Sequence, residues 1–244
     1  DEHIKEDILP RITKGECCFC IGLSEPNSGS DLFAAAAKAE QIEDGFVLNG
    51  TKIWTTNANH ANYMIGLFRT AAPREDNRRH GLSQFLVDMK SPGISVNPLR
   101  DMAGGKDFNE VVFTDCFIPK DYLLGKLNEA WKQATSELAY ERSGPERFLE
   151  TFYILVELTR ILGPDLDRRE AEGLGRLVSQ LHTLRRMSVS VNGMLQAGKE
   201  PVLEGSIVKD LGTVWQQALP SNARGLSDFA KCSSEERAEF DDLL

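Results

Sequence analysis

Two short stretches carry side chains that could grip a flat, polar ligand. In CIGLSEPNSGSDLF (residues 20–33) an apolar run ends at Leu23 and gives way to Ser24, Pro26, Ser28, Gly29 and Ser30, with an acid on either side. Pro26 forces a turn, and Gly29 allows a tight backbone that leaves N–H donors exposed. Small hydroxyls and free amides suit a phosphate, or a ring edge of carbonyls and nitrogens. In NGTKIWTTNANHANYM, Trp54 precedes Thr55, Thr56 and Asn57. An aromatic face next to two hydroxyls and an amide suits a planar polar ring. Each stretch taken alone is also compatible with an ordinary turn, or with a buried Trp before a turn.

Other chemistry finds little support. There is no phosphate-binding Walker loop, dinucleotide GxGxxG fingerprint, HExxH or GxSxG. His3, His60, His80 and His182 are scattered in polar surroundings and read as solvated or capping. Cys17, Cys18, Cys20, Cys116 and Cys232 make an odd set with no framework spacing, as expected of reduced thiols. The first three lack a second cluster that would complete a metal site, so they read as buried strand thiols.

The elements that would position these residues divide near residue 125. Before it, FVLNGTKIW, ANYMIGLFRT, LSQFLVDM, GISVNPL and EVVFTDCFIP alternate as strands, and the polar APREDNRRH reads as a solvated connection. Asp44-Gly45 and Asn49-Gly50 are hairpin signals. The implied unit is an antiparallel β-barrel or sandwich. After Gly125 the period becomes helical: Leu174, Leu177, Val178, Leu181 and Leu184 form one stripe, and Ile207, Val208, Leu211, Val214 and Trp215 another. Gly163-Pro164 and Gly198 with Pro201 mark joints, implying about three long helices in a bundle. The tail beyond Pro220 is polar and weakly periodic, with room for one short helix. The fold class is therefore α+β, a β-barrel or sandwich followed by a helical bundle.

The 244 residues are 41% hydrophobic and 27% charged, enough to bury a core, and the formal charge of −9 argues against general affinity for nucleic acid or anionic membranes. No apolar run reaches the roughly 18 residues a membrane span needs. The acidic start, DEHIKEDILP, reads as processed or excised.

Taken together, LSEPNSGSDL, GFVLNGTKIWTTNA, GISV and FNEVVFTDCFIPKDYLLG, in that order and spacing, resemble the acyl-CoA dehydrogenases from about Ile8 to Leu219. The resemblance implies a remnant of an N-terminal helical domain over 1–12, a flavin-binding β-domain over 13–125, an incomplete C-terminal helical domain over 126–220 and a divergent tail over 221–244. The family's N-terminal helical domain, its Arg-x-x-Phe-Gly motif and its closing helices find no counterpart here. The implied cofactor is FAD, and the implied reaction is α,β-oxidation of an acyl-CoA thioester to a trans-2-enoyl-CoA. An electron-transferring flavoprotein is the implied electron acceptor, and the protein is implied to be a homo- or hetero-oligomer. The compartment would be the bacterial cytoplasm or the mitochondrial matrix.

Carried over by motif position, Leu23 and Ser24 would face the flavin, with Gly29 and Ser30 near its phosphates and, for Ser30, the pantetheine of the substrate. Trp54 would pack on the ring system and Thr56 would hydrogen-bond beside it. In NEAWKQATSELAYERSGPERF, Glu141 stands ten residues after Trp131, the register of the base in one branch of the family, with Arg142 as its neighbour on the substrate side. Gly144-Pro145 perturbs this helix, and a second pair, Glu146-Arg147, follows at once. A catalytically incomplete acyl-CoA-binding or partner subunit of a hetero-oligomeric dehydrogenase is the alternative.

Overall fold

The computed structural model describes residues 2–227 and 232–244, which form two compact units, Asp1–Ala134 and Thr135–Leu244. The expected α+β order holds.

In the first unit, helix α1 (Glu2–Thr13) precedes eight strands: β1 (Phe19–Gly22), β2 (Lys38–Gln41), β3 (Gly45–Thr56), β4 (Tyr63–Arg69), β5 (Leu82–Asp88), β6 (Ile94–Leu99), β7 (Phe108–Pro119) and β8 (Leu123–Leu124). They form one sheet in the order β6-β7-β3-β2-β4-β5-β8, with β1 also on β4. The barrel-or-sandwich expectation thus resolves into a single open path of strands. Two pairings are parallel rather than antiparallel, β1 with β4 and β2 with β4. Both use β4, β1 along Tyr63–Gly66 and β2 at Arg69, so the chain leaves the sheet after Gly22 and rejoins it at Lys38. The Ser/Gly-rich stretch is this excursion.

Alternation buries Phe46, Leu48, Met64, Phe68, Phe85, Val87, Val111, Phe113, Cys116 and Ile118 in one core. Ile8 of α1 packs on the opposite side with Cys17 and Leu86. Cys17 and Cys20 are buried as expected, and Cys116 is buried too, but Cys18, which precedes β1, is exposed. Burial pushes the Cys20 thiol up to about 12 and that of Cys116 to about 11. No group of three or more metal-ligating side chains occurs among the described residues.

Asp44-Gly45 makes the expected turn, closing the β2–β3 hairpin. Asn49-Gly50 does not. It stays within β3, opposite a bulge in β7 where Leu48 pairs with Cys116 but Gly50 with Phe113. Asn49 exchanges hydrogen bonds with Asp115, whose φ is 48°. Gly50 has φ 137°, and a Cβ there would stand 2.6 Å from the Ala37 Cβ.

The second unit takes the end of α2 (Trp131–Ser143), followed by α3 (Glu146–Leu149), α4 (Phe152–Leu162), α5 (Arg168–Gln196), α6 (Val202–Ser227) and α7 (Ser234–Leu243). Two helices are long, not three. Asp167 opens α5 with a reciprocal capping box to Glu170. Gly198 and Pro201 sit between α5 and α6 as expected, and Gly163, at φ 69°, ends α4. Pro220 does not end α6, which runs on to Ser227 with Leu219 and Ala223 anchored in the core; the short tail helix is α7. Residues 228–231 of the tail lie outside the described residues.

Phe148, Leu155, Leu158, Leu177, Leu184, Trp215, Leu219 and Phe240 form this unit's core. Both helical stripes are wider than the core they meet: Val178, Ile207, Leu211 and Val214 remain exposed. Among the described residues no helix is long and apolar enough to cross a membrane.

Candidate active site

A one-residue bulge in β3 shapes the aromatic part of the site. Lys52 pairs with Val111 but Thr55 with Asn109, so β3 carries one extra residue between them. A bulge re-aims side chains and breaks the local ladder. Here Trp54 takes φ 60°, a left-handed conformation uncommon for a bulky residue, and its indole is 61% exposed. Phe108 braces it edge-on, with ring centroids 6.1 Å apart. Beyond the bulge the alternation restarts with Thr55 buried and Thr56 exposed.

The same bulge joins the two motifs. The Ile53 amide turns to the Ser24 carbonyl, 3.0 Å away on the chain just beyond β1. Ser24 therefore lies beside Trp54. Gly29 and Ser30 are exposed at the tip of the excursion, past a tight turn in which Glu25 and Ser28 exchange backbone hydrogen bonds. Leu23 is half-buried, packed on Ala35, Leu67, Leu82 and Ala130. All six residues expected to face a flavin are at least partly open to solvent, and the Leu23 carbonyl accepts from Lys52 at 3.4 Å.

Beneath this surface lie charges that motif reading missed. Lys52, fully enclosed, donates to Glu25 at 2.7 Å, and Glu25 is itself buried. Desolvation pulls the Lys52 ammonium below the usual lysine range, and Glu25 opposes that shift. Glu25 accepts further bonds from the Ala36 and Ala37 amides. Arg69 donates to the carbonyls of Phe33, Ala35 and His80, pinning the far end of the excursion. A signal for the pair was present: Lys52 shares strand parity with the inward-facing Phe46 and Leu48, and an inward lysine needs an acid.

Glu141 and Arg142 belong to the other unit, in the last turn of α2. Gly144-Pro145 ends that helix rather than kinking it, and α3 begins at Glu146. The Glu141 side chain is about half exposed, 3.8 Å from Arg147, which also pairs with Glu146 at 3.4 Å. Arg142 donates to Ser206 on α6 at 3.0 Å. His60 and His182 are exposed, as expected of solvated histidines.

Residues 20–116 match the family model described as acyl-CoA dehydrogenase, middle domain. Acyl-CoA dehydrogenase FadE34 of Mycobacterium tuberculosis is 32% identical over 98% of this chain and 33% of its own length. The chain belongs to the acyl-CoA dehydrogenase family. Acyl-CoA dehydrogenase IpdE1 of the same organism is 34% identical over 75% of the chain and 48% of its own length. The chain spans about a third of the first relative and about half of the second. A solved steroid acyl-CoA dehydrogenase, Tcur3481-Tcur3483, superposes with a TM-score of 0.77 at 25% identity, over 93% of this chain and 59% of that one. Glutaryl-coenzyme A dehydrogenase in complex with glutaryl-CoA shares the fold, with a TM-score of 0.84 at 18% identity, over all of this chain and 63% of that one. Its match to the family's middle domain falls within the β-sheet unit, and among the described residues five helices follow α2.

Proposed function

We propose that this chain supplies the flavin-binding surface and the base of an FAD-dependent acyl-CoA dehydrogenase. The observation that carries the reading is the exposed Trp54 indole, thrust out by a bulge and tied through Ile53 to Ser24. A folded chain does not spend a left-handed tryptophan on solvent without use, since such strain concentrates at ligand sites. Trp54 would take the face of the ring system, Thr56 and Ser24 would meet its polar edge, and Gly29 and Ser30 would approach the phosphates. FAD, when bound, would supply the hydride acceptor.

Glu141 would take the α-proton of the acyl-CoA thioester on a carboxylate oxygen. To do so it must leave Arg147, and an ion pair this open is worth only about 0–1 kcal/mol, so release is easy. Arg142, tethered to Ser206, would stand by the substrate. The electrons would then pass to an electron-transferring flavoprotein. A second reading, an acyl-CoA-binding partner subunit, draws support from one neighbour of the fold, a ChsE4-ChsE5 complex from Mycobacterium tuberculosis.

The test is the visible spectrum of the chain with FAD, then with an acyl-CoA, repeated for Glu141→Gln. A flavin band that bleaches in the wild type, at a rate reduced ~100-fold or more in the variant, supports the first reading. Bleaching at an unchanged rate in the variant removes Glu141 from the mechanism. Binding of acyl-CoA with no bleaching supports the second.

A further inference from the structure

We propose that the Lys52–Glu25 pair is a positioning device: it holds the 23–37 excursion on β3, so that Ser24 and Trp54 act as one ligand-facing surface. The inference rests on the flavin reading above and adds two residues that touch no ligand.

The pair is a junction of three backbone segments. Glu25, at the start of the excursion, accepts from Ala36 at 2.7 Å and from Ala37 at 3.1 Å, at its end. One carboxylate therefore closes the loop on itself. Lys52 fastens that closed loop to β3 at 2.7 Å, and reaches the Leu23 carbonyl at 3.4 Å. Its ammonium also lies 5.0 Å from the centre of the Phe68 ring, a cation–π contact in the core beneath.

Stability alone is a poor reason for such an arrangement. Taking two charges out of water offsets most of their attraction, and apolar residues of similar volume often serve as well. What apolar residues lack is direction. Direction matters here because the sheet offers no ladder between Gly22 and Lys38, where the chain has left β4. Apart from the pair, the excursion is held by the Ile53–Ser24 hydrogen bond at one end, by Arg69 at the other, and between them by the exposed Arg78–Asp31 ion pair and the packing of Phe33 on Trp131 and of Ala35 in the core, none of which reaches β3 beside Trp54. Lys52 stands one residue before Ile53 and two before Trp54, so the charge pair acts next to the bond that sets Ser24 beside the indole.

The experiment compares wild type with the double variant Glu25→Leu/Lys52→Met, which leaves no unpaired charge. Amide hydrogen exchange is followed at Ala36, Ala37 and Ile53, and FAD affinity by spectral titration. The expected result is cooperative unfolding retained, exchange at these amides accelerated ~100-fold with β4–β5 unchanged, and FAD affinity lowered ~10-fold or more. Unchanged exchange overturns the proposal. So does faster exchange with undiminished FAD affinity. A wild type that takes up no FAD counts against the flavin reading, and exchange at Ile53 then decides the positioning claim by itself. Should this double variant fail to fold, Glu25→Gln/Lys52→Met, which keeps shape and one acceptor oxygen and leaves no unpaired charge, carries the same two measurements.

Discussion

Replacing Trp54 with glycine separates stability from ligand capture. At 61% exposed, the side chain buries about 60–100 Å² of the 150–250 Å² an aromatic residue can bury. That is worth about 1.5–2.5 kcal/mol at ~25 cal/mol per Å². Glycine relieves a φ of 60° that burdens any L side chain by about 1–2 kcal/mol. Its wider unfolded ensemble takes back about 0.5–1 kcal/mol. The terms nearly cancel, so Trp54→Gly should lower stability by only about 1 kcal/mol, against the ~3–5 kcal/mol typical of a core tryptophan. Urea denaturation reads this as a small shift of midpoint at constant slope. FAD affinity, by spectral titration, should fall ~10-fold or more, since stacking on an aromatic face contributes on the order of 1–3 kcal/mol. A loss of ~3 kcal/mol or more in stability would mean that Trp54 is a core anchor. An unchanged FAD affinity would mean that the indole is no platform. Either result refutes the reasoning.

Other perturbations test the scaffold. Alkylation at pH 8 followed by mass spectrometry should label exposed Cys18 rapidly while Cys20 and Cys116, buried and with thiols raised to about 12 and about 11, react only after denaturation; equal labelling of Cys18 and Cys20 would refute the burial of Cys20. Gly50→Ala should cost about 2 kcal/mol or more, from the positive φ and the collision with Ala37, and an unshifted denaturation midpoint would show that the β3–β7 irregularity yields easily. Asp167→Ala removes one half of the α5 capping box and should cost about 1 kcal/mol in thermal or chemical denaturation, with no effect on FAD uptake.

Strands β3, β4, β6 and β7 were legible because hydrophobic alternation and burial on a sheet face are the same fact, and β5, buried on both faces, was legible from its run of apolar residues. β2 was not: its four residues, KAEQ, bury only Ala39, and local pattern cannot mark so short a strand. Asn49-Gly50 misled because a dipeptide suited to positive φ serves a β3–β7 irregularity as well as a hairpin, and long-range pairing decides between them. Pro220 misled because the loss of one hydrogen bond was outweighed by the burial of Leu219 and Ala223 on either side. At the site, the motifs named Trp54, Thr56 and Ser24, and the structure exposes the first two and sets Ser24 next to Ile53 and Trp54. The charges that fix them do not show in a motif, since Glu25 and Lys52 are 27 residues apart and meet only when β1 and β3 lie side by side.

The bulge at Ile53–Trp54 also sets what kinds of change this segment can absorb. Before it, even-numbered residues face the core; after it, Thr55 does. Removing a single residue there would restore the plain two-residue period with Lys52 and Thr55 still facing inward, and would abolish the extra residue that turns Trp54 into its left-handed conformation. Substitutions along the same stretch alter one contact each and leave the facing of the rest intact. For residues 52–57 the number of residues is therefore a specification in its own right: a deletion would flatten the bulge while leaving the facing of Lys52, Thr55 and Thr56 as it is.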